Sequence, residues 1–444
     1  MATTSLLDRI GAEVDRRRDE VLGYLRELIA ATKEGEAAVQ RHVADDARAL
    51  GCTVEVVRYR PADVPMIGEF AAAGAMDDGE RESVVARLPG AGGGRSVIFF
   101  AHPDGEPVAE TPGWRRDPFA GVIENGRLYG WGVADDLAGV ATMVQAFAIL
   151  RSGGLTPEGD VILASTPSKR HARGVSALLH GGLAADAAVY CHPAESGAGM
   201  REIKAFASGQ VEFRIVVEGR PPDTTEPLQT AFAHLAVNAI DKAFAIHESL
   251  KALDRRRAAR VRHPLLDGAV GRSSNLMLSH LAAGDLGRLS RVPTTCVLGG
   301  ALSFPPPETL EEVCAEVEAA VREASDRWLE EDPPRIEWVS GVTGAEVPAE
   351  HPLTRAVADA VVAVTGEQPV VNPMHTASDI RNPMVQKGIP TVGLGPSCGD
   401  LTQNGGLDEW VDAEDYLRAV KVAAGIVVGW CGAVESEKDH RWTD

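Results

Sequence analysis

Three short segments of this sequence are almost entirely apolar: SVIFFAH, DVILAS and AAVYCH. A strand that is apolar at every position has both of its faces buried, and such strands pair in parallel when helices alternate with them. Helical patterns do alternate with these strands, at residues 6–32, 37–50 and LAGVATMVQAFAILRSGG. Two further strands are expected at TVEVVRY and SVVARLP. The sequence therefore predicts an α/β fold with a mainly parallel sheet and helices on both faces.

The pattern changes near residue 206, where GQVEFRIVVEG alternates apolar and polar residues as a half-exposed strand does. Further elements are expected there: a helix at Gln229–Leu253, strands NLMLSHL and TTCVLGGALSF, a helix PETLEEVCAEVEAAVREASDRWLEE and an edge strand PPRIEWV. They predict a small α+β sandwich inserted into the larger domain. The α/β pattern then returns at HPLTRAVADAVVAVTG, GIPTVGLG and a helix from Ala413 to about Trp430. The expected domain segments are 1–205, 206–340 and 341–444, of which the first and last form one domain.

The acidic composition limits the partners of this protein. Its 64 Asp and Glu residues against 44 Lys and Arg give a net charge of −20, whereas nucleic acids and anionic membranes bind basic surfaces. No uninterrupted apolar run reaches the roughly 18 residues of a membrane span, and the N-terminus has the pattern of a charged amphipathic helix. The six cysteines lack CxxC spacing, which favours reduced thiols. We therefore expect a cytoplasmic protein that binds neither nucleic acid nor membrane.

Two segments carry the first candidates for chemistry. His102 and Asp104 follow the buried strand SVIFFA, and a Gly-rich turn brings Asp135 and Asp136 to the start of a helix. Groups at the carboxyl ends of parallel strands meet in one crevice. A His and an Asp on separate loops suit a divalent metal, with Asp104 orienting the imidazole. A helix cap and a hydrogen-bonded histidine explain the same residues without a metal.

The order of the motifs adds a resemblance. HPD, then W, PF, GRLYGWGVADD, SDIRNP, GIPTVGLGP and DEWV together resemble the zinc peptidases and amidases grouped with acetylornithine deacetylase, succinyl-diaminopimelate desuccinylase, carboxypeptidase G and carnosinase. The inserted domain falls where that family has its lid. The resemblance implies two zinc ions bridged by an Asp, with a Glu as general base. It marks His102 as a metal ligand, Asp104 as its orienting carboxylate and Asp135 as the bridging ligand.

The sequence departs from that family at the remaining site positions. The Glu pair of the family, a base and a ligand, falls on Lys169 and Arg170 in TPSKRHARG. A ligating acid of the family falls on His192, with Glu195 as a candidate substitute. The last His ligand is replaced by Asn404 or a glycine. Four of the expected zinc-site positions therefore differ from the family, and two of them have two candidates each.

Electrostatics argues against two zinc ions in such a site. Two adjacent zinc ions carry four positive charges, which persist only where carboxylates and imidazoles offset them. Exchanging two anions for two cations alters the balance by about four charge units, and each close like-charge contact costs ~4 kcal/mol at an effective dielectric constant near 20. We therefore predict no two-zinc centre and no resident metal. A single zinc on His102, Asp135 and His192 remains open, because three protein ligands and a water form a catalytic site.

Several groups are candidates for metal-independent chemistry. Lys169 and Arg170 are expected to pair with Asp135, and a desolvated Lys with a lowered pKa is a candidate base or nucleophile. His102 with Asp104 is a candidate acid/base dyad. Candidates for substrate contact, of which His375 is also a candidate acid/base group, are His375, Asp379, Arg381, Glu195 and Asn404. The alternative is that these ion pairs merely fill a vacated metal pocket.

Three functions remain. The leading hypothesis is an enzyme that performs metal-independent acyl transfer, amide formation or cyclisation on a small amino-acid-like or acylated substrate, in a biosynthetic role. The second is a mononuclear zinc amidohydrolase or dipeptidase, and the third is a catalytically inactive binding homologue. The resemblance also implies a homodimer through the lid, with GQVEFRIVVEG as a candidate edge strand. Asp223 replaces the family histidine that reaches the partner's active site.

Overall fold

The computed structural model describes residues 3–72, 74–76, 79–106, 113–324, 331–374, 378–401 and 404–435. Its helices are α1 Thr3–Arg16, α2 Arg18–Ala31, α3 Glu36–Ala49, α4 Ala138–Ser152, α5 Gly174–His180, α6 Ala239–Arg260, α7 Pro264–Val270, α8 Leu310–Arg322, α9 Pro352–Thr365, α10 Arg381–Lys387 and α11 Ala413–Ile426. Its first nine strands are β1 Thr53–Tyr59, β2 Glu69–Ala71, β3 Arg81–Leu88, β4 Val97–Ala101, β5 Val122–Glu124, β6 Arg127–Tyr129, β7 Leu155–Pro157, β8 Val161–Ser165 and β9 Ala187–Cys191. The strands that follow are β10 Glu202–Ile203, β11 Phe206–Ala207, β12 Gly209–Glu218, β13 Asn275–Ala283, β14 Thr295–Phe304, β15 Arg335–Val342, β16 Ala345–Glu346, β17 Val370–Val371, β18 Thr391–Leu394, β19 Cys398–Gly399, β20 Trp410–Asp412 and β21 Ala433–Glu435.

The larger sheet is mainly parallel. Its strands lie in the order β1-β3-β8-β4-β9-β18, where β8, β4, β9 and β18 run parallel and β1 and β3 are antiparallel additions. Successive residues of a strand face opposite sides of a sheet. Phe99 therefore packs among helices that include α1, α2, α4 and α11, whereas Phe100 packs on the other face near α5. The predicted α/β fold with helices on both faces is confirmed.

A second, antiparallel sheet has the order β13-β14-β12-β15-β2, and α6 and α8 pack against it. Two expectations about its edges are wrong. β12, which contains GQVEFRIVVEG, lies between β14 and β15, and β15 lies between β12 and β2. Alternating burial reports which face of a strand is covered and carries no information on its lateral neighbours. The domain limits at 205/206 and 340/341 stay a prediction.

One helix begins later than the sequence pattern predicted. The expected helix at Gln229–Leu253 is α6, which starts at Ala239 and continues to Arg260. Asn238 caps it by accepting a hydrogen bond from the backbone N–H of Ile240 at 3.0 Å. Likewise, the helix expected over residues 6–32 is interrupted at Arg17, between α1 and α2.

The helical stretch Val133–Ser152 is long and apolar enough, by length and composition, to cross a membrane. Its apolar window is completely buried within the protein, and α4 packs against α11 and other helices of the larger domain. A helix that is apolar on all sides is expected in the centre of a large core. The cytoplasmic location stays a prediction.

Candidate active site

Three parallel neighbours in the large sheet, β8, β4 and β9, bring the central side chains together. His102 follows β4, Lys169 lies in the loop after β8, and His192 follows β9. The carboxyl ends of parallel strands meet at one edge, so these loops converge. Asp135 joins them from the turn before α4, where its backbone angles (φ −125°, ψ 78°) are not helical. One donor atom from each of His102, Asp135 and His192 lies within 4.8 Å of the others.

Asp135 lies at the centre of this group. Its Oδ1 is 2.8 Å from Nε2 of His102 and 3.4 Å from Nε2 of His192, and its Oδ2 contacts Nζ of Lys169. Burial alone would raise the pKa of Asp135, but the positive charges of Lys169 and His102 outweigh burial and hold that pKa well below its usual range. Asp135 is therefore an ionised carboxylate surrounded by hydrogen-bond donors.

The ring of His102 is held at both nitrogens. Nδ1 is 2.9 Å from the backbone oxygen of Asp104 and 3.4 Å from its Oδ1, while Nε2 faces Asp135. Burial disfavours the imidazolium, but the Asp135 carboxylate and the contact with Asp104 raise the pKa of His102 well above its ordinary value. Because acceptors face both nitrogens, His102 is an imidazolium that donates at each of them.

Asp104 connects His102 to the loop that carries Lys169. Its carboxylate accepts from the backbone N–H groups of Ser168 at 3.0 Å and Lys169 at 2.9 Å, and from Arg81 at 3.0 Å. Burial would raise the pKa of Asp104, yet His102 and Arg81 lower it overall. The position of the Lys169 amine is thus fixed by the same carboxylate that orients His102.

Lys169 and Arg170 point in different directions. Lys169 pairs with Asp135, as expected, and burial, which would lower its pKa, is outweighed by that carboxylate, so the pKa is raised. The candidate role of Lys169 as a base or nucleophile requires a lowered pKa, whereas the pairing with Asp135 favours the ammonium form. Arg170 has a left-handed backbone (φ 53°) and its half-exposed guanidinium pairs with Glu106 at 3.2 Å instead of with Asp135.

His192 is contacted at both ring nitrogens. Nε2 faces Asp135, and Nδ1 is 3.2 Å from Nζ of Lys204, a lysine with no exposed side-chain surface. Asp136, next to Asp135 and joined to it by a cis peptide bond, accepts from the backbone N–H of His102 at 3.4 Å. Burial raises the pKa of Asp136 well above its usual range and so favours the neutral form of this carboxyl.

Asp379 and Arg381 lie on a neighbouring polar cavity of about 150 Å³. Asp379 accepts from the hydroxyl of Ser168 and from Nδ2 of Asn382 at 2.9 Å, and burial raises its pKa. Arg381 pairs with the buried Glu69. Ser168 precedes Lys169 in the chain, so the two polar regions share one loop.

Two other predicted substrate contacts, Glu195 and Asn404, are exposed. Glu195 is exposed, and its backbone N–H is 3.4 Å from Oε1 of Glu202. Asn404 is exposed, with its backbone N–H bonded to the Leu401 oxygen at 3.0 Å. Asp223 is likewise exposed. His375 lies outside the described residues.

A larger cavity of about 310 Å³ gives access to Lys169. The charged and aromatic residues that line it are Glu36, Arg81, Asp104, Glu106, Trp131, Lys169 and Arg170. Lys169 contacts Asp135 and also lines the cavity. It therefore connects the buried group with the space that is open to a ligand. The wall carries three cations and three carboxylates, and each cation is paired with a carboxylate of the protein. The N–H groups of these cations are candidate donors to a carbonyl or carboxylate oxygen of a substrate.

Two buried residues of the site were missed in the sequence. Glu409 accepts from the backbone N–H groups of Ala134 at 2.8 Å and Asp135 at 3.1 Å, and thereby fixes the turn that presents Asp135. Its signal was the DEWV motif, which was used only as a landmark. The second is Lys204, an isolated cation within the apolar run IKAFA, and no spacing rule connects it with His192.

The donor set does not fit a two-zinc centre. An Asp that bridges two ions offers one oxygen to each, but Oδ2 of Asp135 contacts the Lys169 ammonium and Oδ1 faces His102. Within the described part of the chain, His102, Asp135 and His192 form the one group of histidine and acidic donors close enough to hold an ion. The types of donor in this set, two imidazoles and a carboxylate, suit a single zinc, provided that Nε2 of His102 loses its proton.

The comparisons with known proteins agree with the motifs. The family described as Peptidase family M20/M25/M40 matches residues 98–428. The chain is similar to an N-formyl-4-amino-5-aminomethyl-2-methylpyrimidine deformylase of Bacillus subtilis (strain 168), with 23% identity over 440 residues, 94% of this chain and 96% of that protein. It is also similar to a succinyl-diaminopimelate desuccinylase of Alkalilimnicola ehrlichii, with 27% identity over 346 residues, 75% of this chain and 84% of that protein. Both names denote hydrolytic enzymes.

Among solved structures, human carnosine dipeptidase 1 is similar, with a TM-score of 0.66 and 15% identity, covering 96% of this chain and 99% of that one. At this identity the likeness concerns the fold. The resemblance to zinc peptidases and amidases that the motifs indicated is confirmed.

Proposed function

The chain belongs to the peptidase family M20/M25/M40, and from that premise we propose that it is an enzyme that acts on a small amide or N-acylated substrate by metal-independent acid/base chemistry. One observation carries this proposal. Both oxygens of Asp135, the family's bridging position, face cationic side chains: Oδ1 accepts from His102 and Oδ2 from Lys169. These contacts support the proposal that cationic side chains of the protein offset the charge of Asp135 in place of metal ions.

Each member of the group has a distinct role. Lys169 lines the larger cavity, so its ammonium donates to the carbonyl oxygen of a bound amide and stabilises negative charge that develops there. His102 donates its Nε2 proton to Asp135 in a buried hydrogen bond of 2.8 Å, and this pair is our candidate donor and acceptor for proton transfer. Asp104 contacts both the ring of His102 and the backbone of Lys169, and so fixes their relative positions.

The substrate class is supported by the relatives and by the charges of the cavity. The names of two relatives specify a deformylase and a desuccinylase, both of which act on N-acylated amines. Arg81, Lys169 and Arg170 on the cavity wall offer N–H donors to an oxygen of the substrate, in a cavity whose wall also carries Glu36, Asp104 and Glu106. Lys169 occupies the position of the family's general base and offers no carboxylate to activate water. Acyl transfer, amide formation and cyclisation, in a biosynthetic role, therefore suit the site better than hydrolysis.

The test is turnover with and without a chelator. Full-length protein is analysed for bound metal and assayed with N-formyl, N-acetyl and N-succinyl amino acids, following free amine, and with free amines plus acyl esters, following amide. We expect substoichiometric metal and a rate unchanged by chelation. Activity that disappears with the chelator and returns with zinc contradicts the proposal, and an absence of turnover across the panel favours the inactive binding homologue.

A mononuclear zinc amidohydrolase or dipeptidase is the second candidate, because His102, Asp135 and His192 lie within 4.8 Å of one another. A zinc bound there would polarise a carbonyl or activate a water. Its binding requires His102 to give up the proton that Asp135 stabilises and Lys169 to share Asp135 with the ion. One zinc per chain, required for turnover, selects this candidate.

We also infer a homodimer formed through the antiparallel sheet. Its edge strand β13 exposes Met277 and Leu281, and the following loop exposes Leu286 and Leu289 almost completely. An exposed edge with apolar side chains is a surface for pairing with a second chain. Light scattering on the full chain is expected to report a dimer, and a monomeric protein at micromolar concentration contradicts this inference.

A further inference from the structure

Lys204 is a buried cation whose neighbours are all hydrogen-bond acceptors. Its Nζ is 3.2 Å from Nδ1 of His192 and 3.3 Å from the backbone oxygen of His192, contacts the backbone oxygen of Pro193, and is 3.2 Å from Oε1 of Glu202. Its backbone exchanges two hydrogen bonds of 2.8 Å with Gly393, beside β9 in the large sheet. The amine is therefore held in place from the backbone and from the side chain.

This contact determines which nitrogen of His192 carries the proton. An ammonium group has donors only, so Nδ1 of His192 accepts from Lys204 and has no proton of its own. A neutral imidazole then carries its proton on Nε2. Nε2 faces Oδ1 of Asp135 at 3.4 Å, and this oxygen is an acceptor. The contacts at the two ring nitrogens agree with each other.

The hydrogen-bond polarity of the His192 ring is the reverse of that of a histidine that binds a metal. A histidine that binds a metal through Nε2 donates its Nδ1 proton to a carboxylate or carbonyl, which leaves the lone pair of Nε2 free for the ion. In this protein a donor stands where that acceptor belongs. The carboxylate of Glu202 pairs with the same Lys204 amine at 3.2 Å.

We propose that Lys204 is a positioning residue that fixes His192 as an Nε2–H donor to Asp135 and so withholds the nitrogen lone pair that a metal would require. The inference deepens the proposed metal-independent function and rests on it. It explains why a His, Asp and His group with the spacing of a metal site serves as a hydrogen-bonded group. It also assigns a role to a buried lysine that does not line the larger cavity.

The direct test is the protonation pattern of His192 in the wild-type protein. Full-length, metal-free protein is labelled with ¹⁵N-histidine, and the His192 ring is assigned from the signal that His192→Gln removes. We expect a neutral ring with its proton on Nε2 and an unprotonated Nδ1. A ring protonated on Nδ1, alone or together with Nε2, overturns the proposal whether or not any Lys204 variant folds.

A second test measures zinc affinity by competition with a chromophoric chelator. Lys204→Met removes the donor and is expected to bind zinc roughly tenfold more tightly than the wild type, which is the size of effect typical of residues that orient metal ligands. Lys204→Gln keeps an N–H donor and is expected to bind zinc as the wild type does. Folded Lys204→Met protein with wild-type zinc affinity contradicts the proposal.

The matched control is Lys242→Met. Lys242 is also buried, donates to the backbone oxygens of Glu218 at 2.7 Å and Asp332 at 3.1 Å, and lies in the antiparallel sheet region far from the His192 contacts. Its loss is expected to lower stability without changing zinc affinity. The outcomes also separate the two proposals: zinc-dependent turnover refutes the proposed function, whereas the His192 ring in metal-free protein decides the role of Lys204 by itself.

Discussion

Asp135 and Glu69 are both buried carboxylates that face three basic side chains, yet their surroundings differ in chemistry. The partners of Asp135 are Lys169, His102 and His192. The partners of Glu69 are Arg381, Arg173 and His171. In both cases burial would raise the pKa of the carboxyl and the basic partners lower it.

The two clusters differ in how many of their basic partners exchange protons and in which parts of the fold they connect. Two of these three partners of Glu69 are guanidinium groups, which keep their protons at all accessible pH values. Most of the charge around Glu69 is therefore fixed, and His171 is the member of the three that exchanges a proton. Glu69 belongs to β2, which pairs with β15 of the antiparallel sheet, while Arg381 opens α10 beside the large sheet. Its ion pairs thus join the two sheets. Asp135 instead faces imidazoles and an amine, which do exchange protons, and its partner Lys169 lines the larger cavity.

The largest effect expected from this comparison is on turnover. Asp135→Asn removes the base and the charge that stabilises His102 and Lys169, so kcat is expected to fall about 10³-fold, within the range of general acid–base catalysis. Glu69→Gln is expected to leave kcat within about threefold, because two of its three partners are guanidinium groups that keep their protons and Glu69 does not line the larger cavity. Steady-state rates on whichever acyl amine the panel identifies provide the measurement. Equal losses in the two variants would remove the distinction between the clusters.

Lys169→Met tests the connection between the buried group and the cavity. Loss of the ammonium removes the donor to the substrate carbonyl, and kcat is expected to fall about 10²-fold, as for a single oxyanion donor. Lys242→Met, which removes another buried lysine, is the control and is expected to keep kcat. Retention of the wild-type rate by Lys169→Met would show that the lysine only fills space.

The pH dependence of stability sharpens the comparison at Glu69. Although burial raises the pKa of this carboxyl, its contacts with His171 and Arg381 lower it from 4.5 to about 2. A depressed pKa contributes stability above the unfolded value and loses it as the pH falls through the folded value. On the order of 3 kcal/mol should therefore disappear between pH 4.5 and 2. Denaturant unfolding of wild type and Glu69→Gln across this range should show a difference that shrinks toward pH 2; a constant difference contradicts it.

The smallest effect is expected at Arg170. Its guanidinium is 50% exposed and pairs with Glu106 at 3.2 Å, and exposed pairs contribute about 0–1 kcal/mol. Arg170→Ala should lower the free energy of unfolding by less than about 1 kcal/mol, in contrast to the buried pairs. Because Arg170 lines the cavity, an acidic substrate should show a higher KM with kcat nearly unchanged. A large fall in kcat would contradict this prediction and would indicate that Arg170 acts in the reaction, as proposed for Lys169.

Much of the site could be predicted because it depends on strand order. His102, Lys169 and His192 each follow an apolar strand, and parallel pairing forces those loops to one edge of the sheet. Arg170 could not be placed in this way, since adjacent residues of an irregular turn diverge according to backbone angles that the sequence pattern does not report. Glu195 and Asn404 lie on exposed loops, whose course depends on tertiary packing.

The sequence by itself determined the α/β fold, because strands with no polar position must be buried on both faces, and it determined that two adjacent cations, Lys169 and Arg170, follow one of those strands. Tertiary structure decided which of these two cations reaches Asp135, which strand lies at the sheet edge, and that Lys204 contacts His192. Pairwise contacts between distant segments set protonation in a buried site, and a periodic pattern contains no information on such contacts.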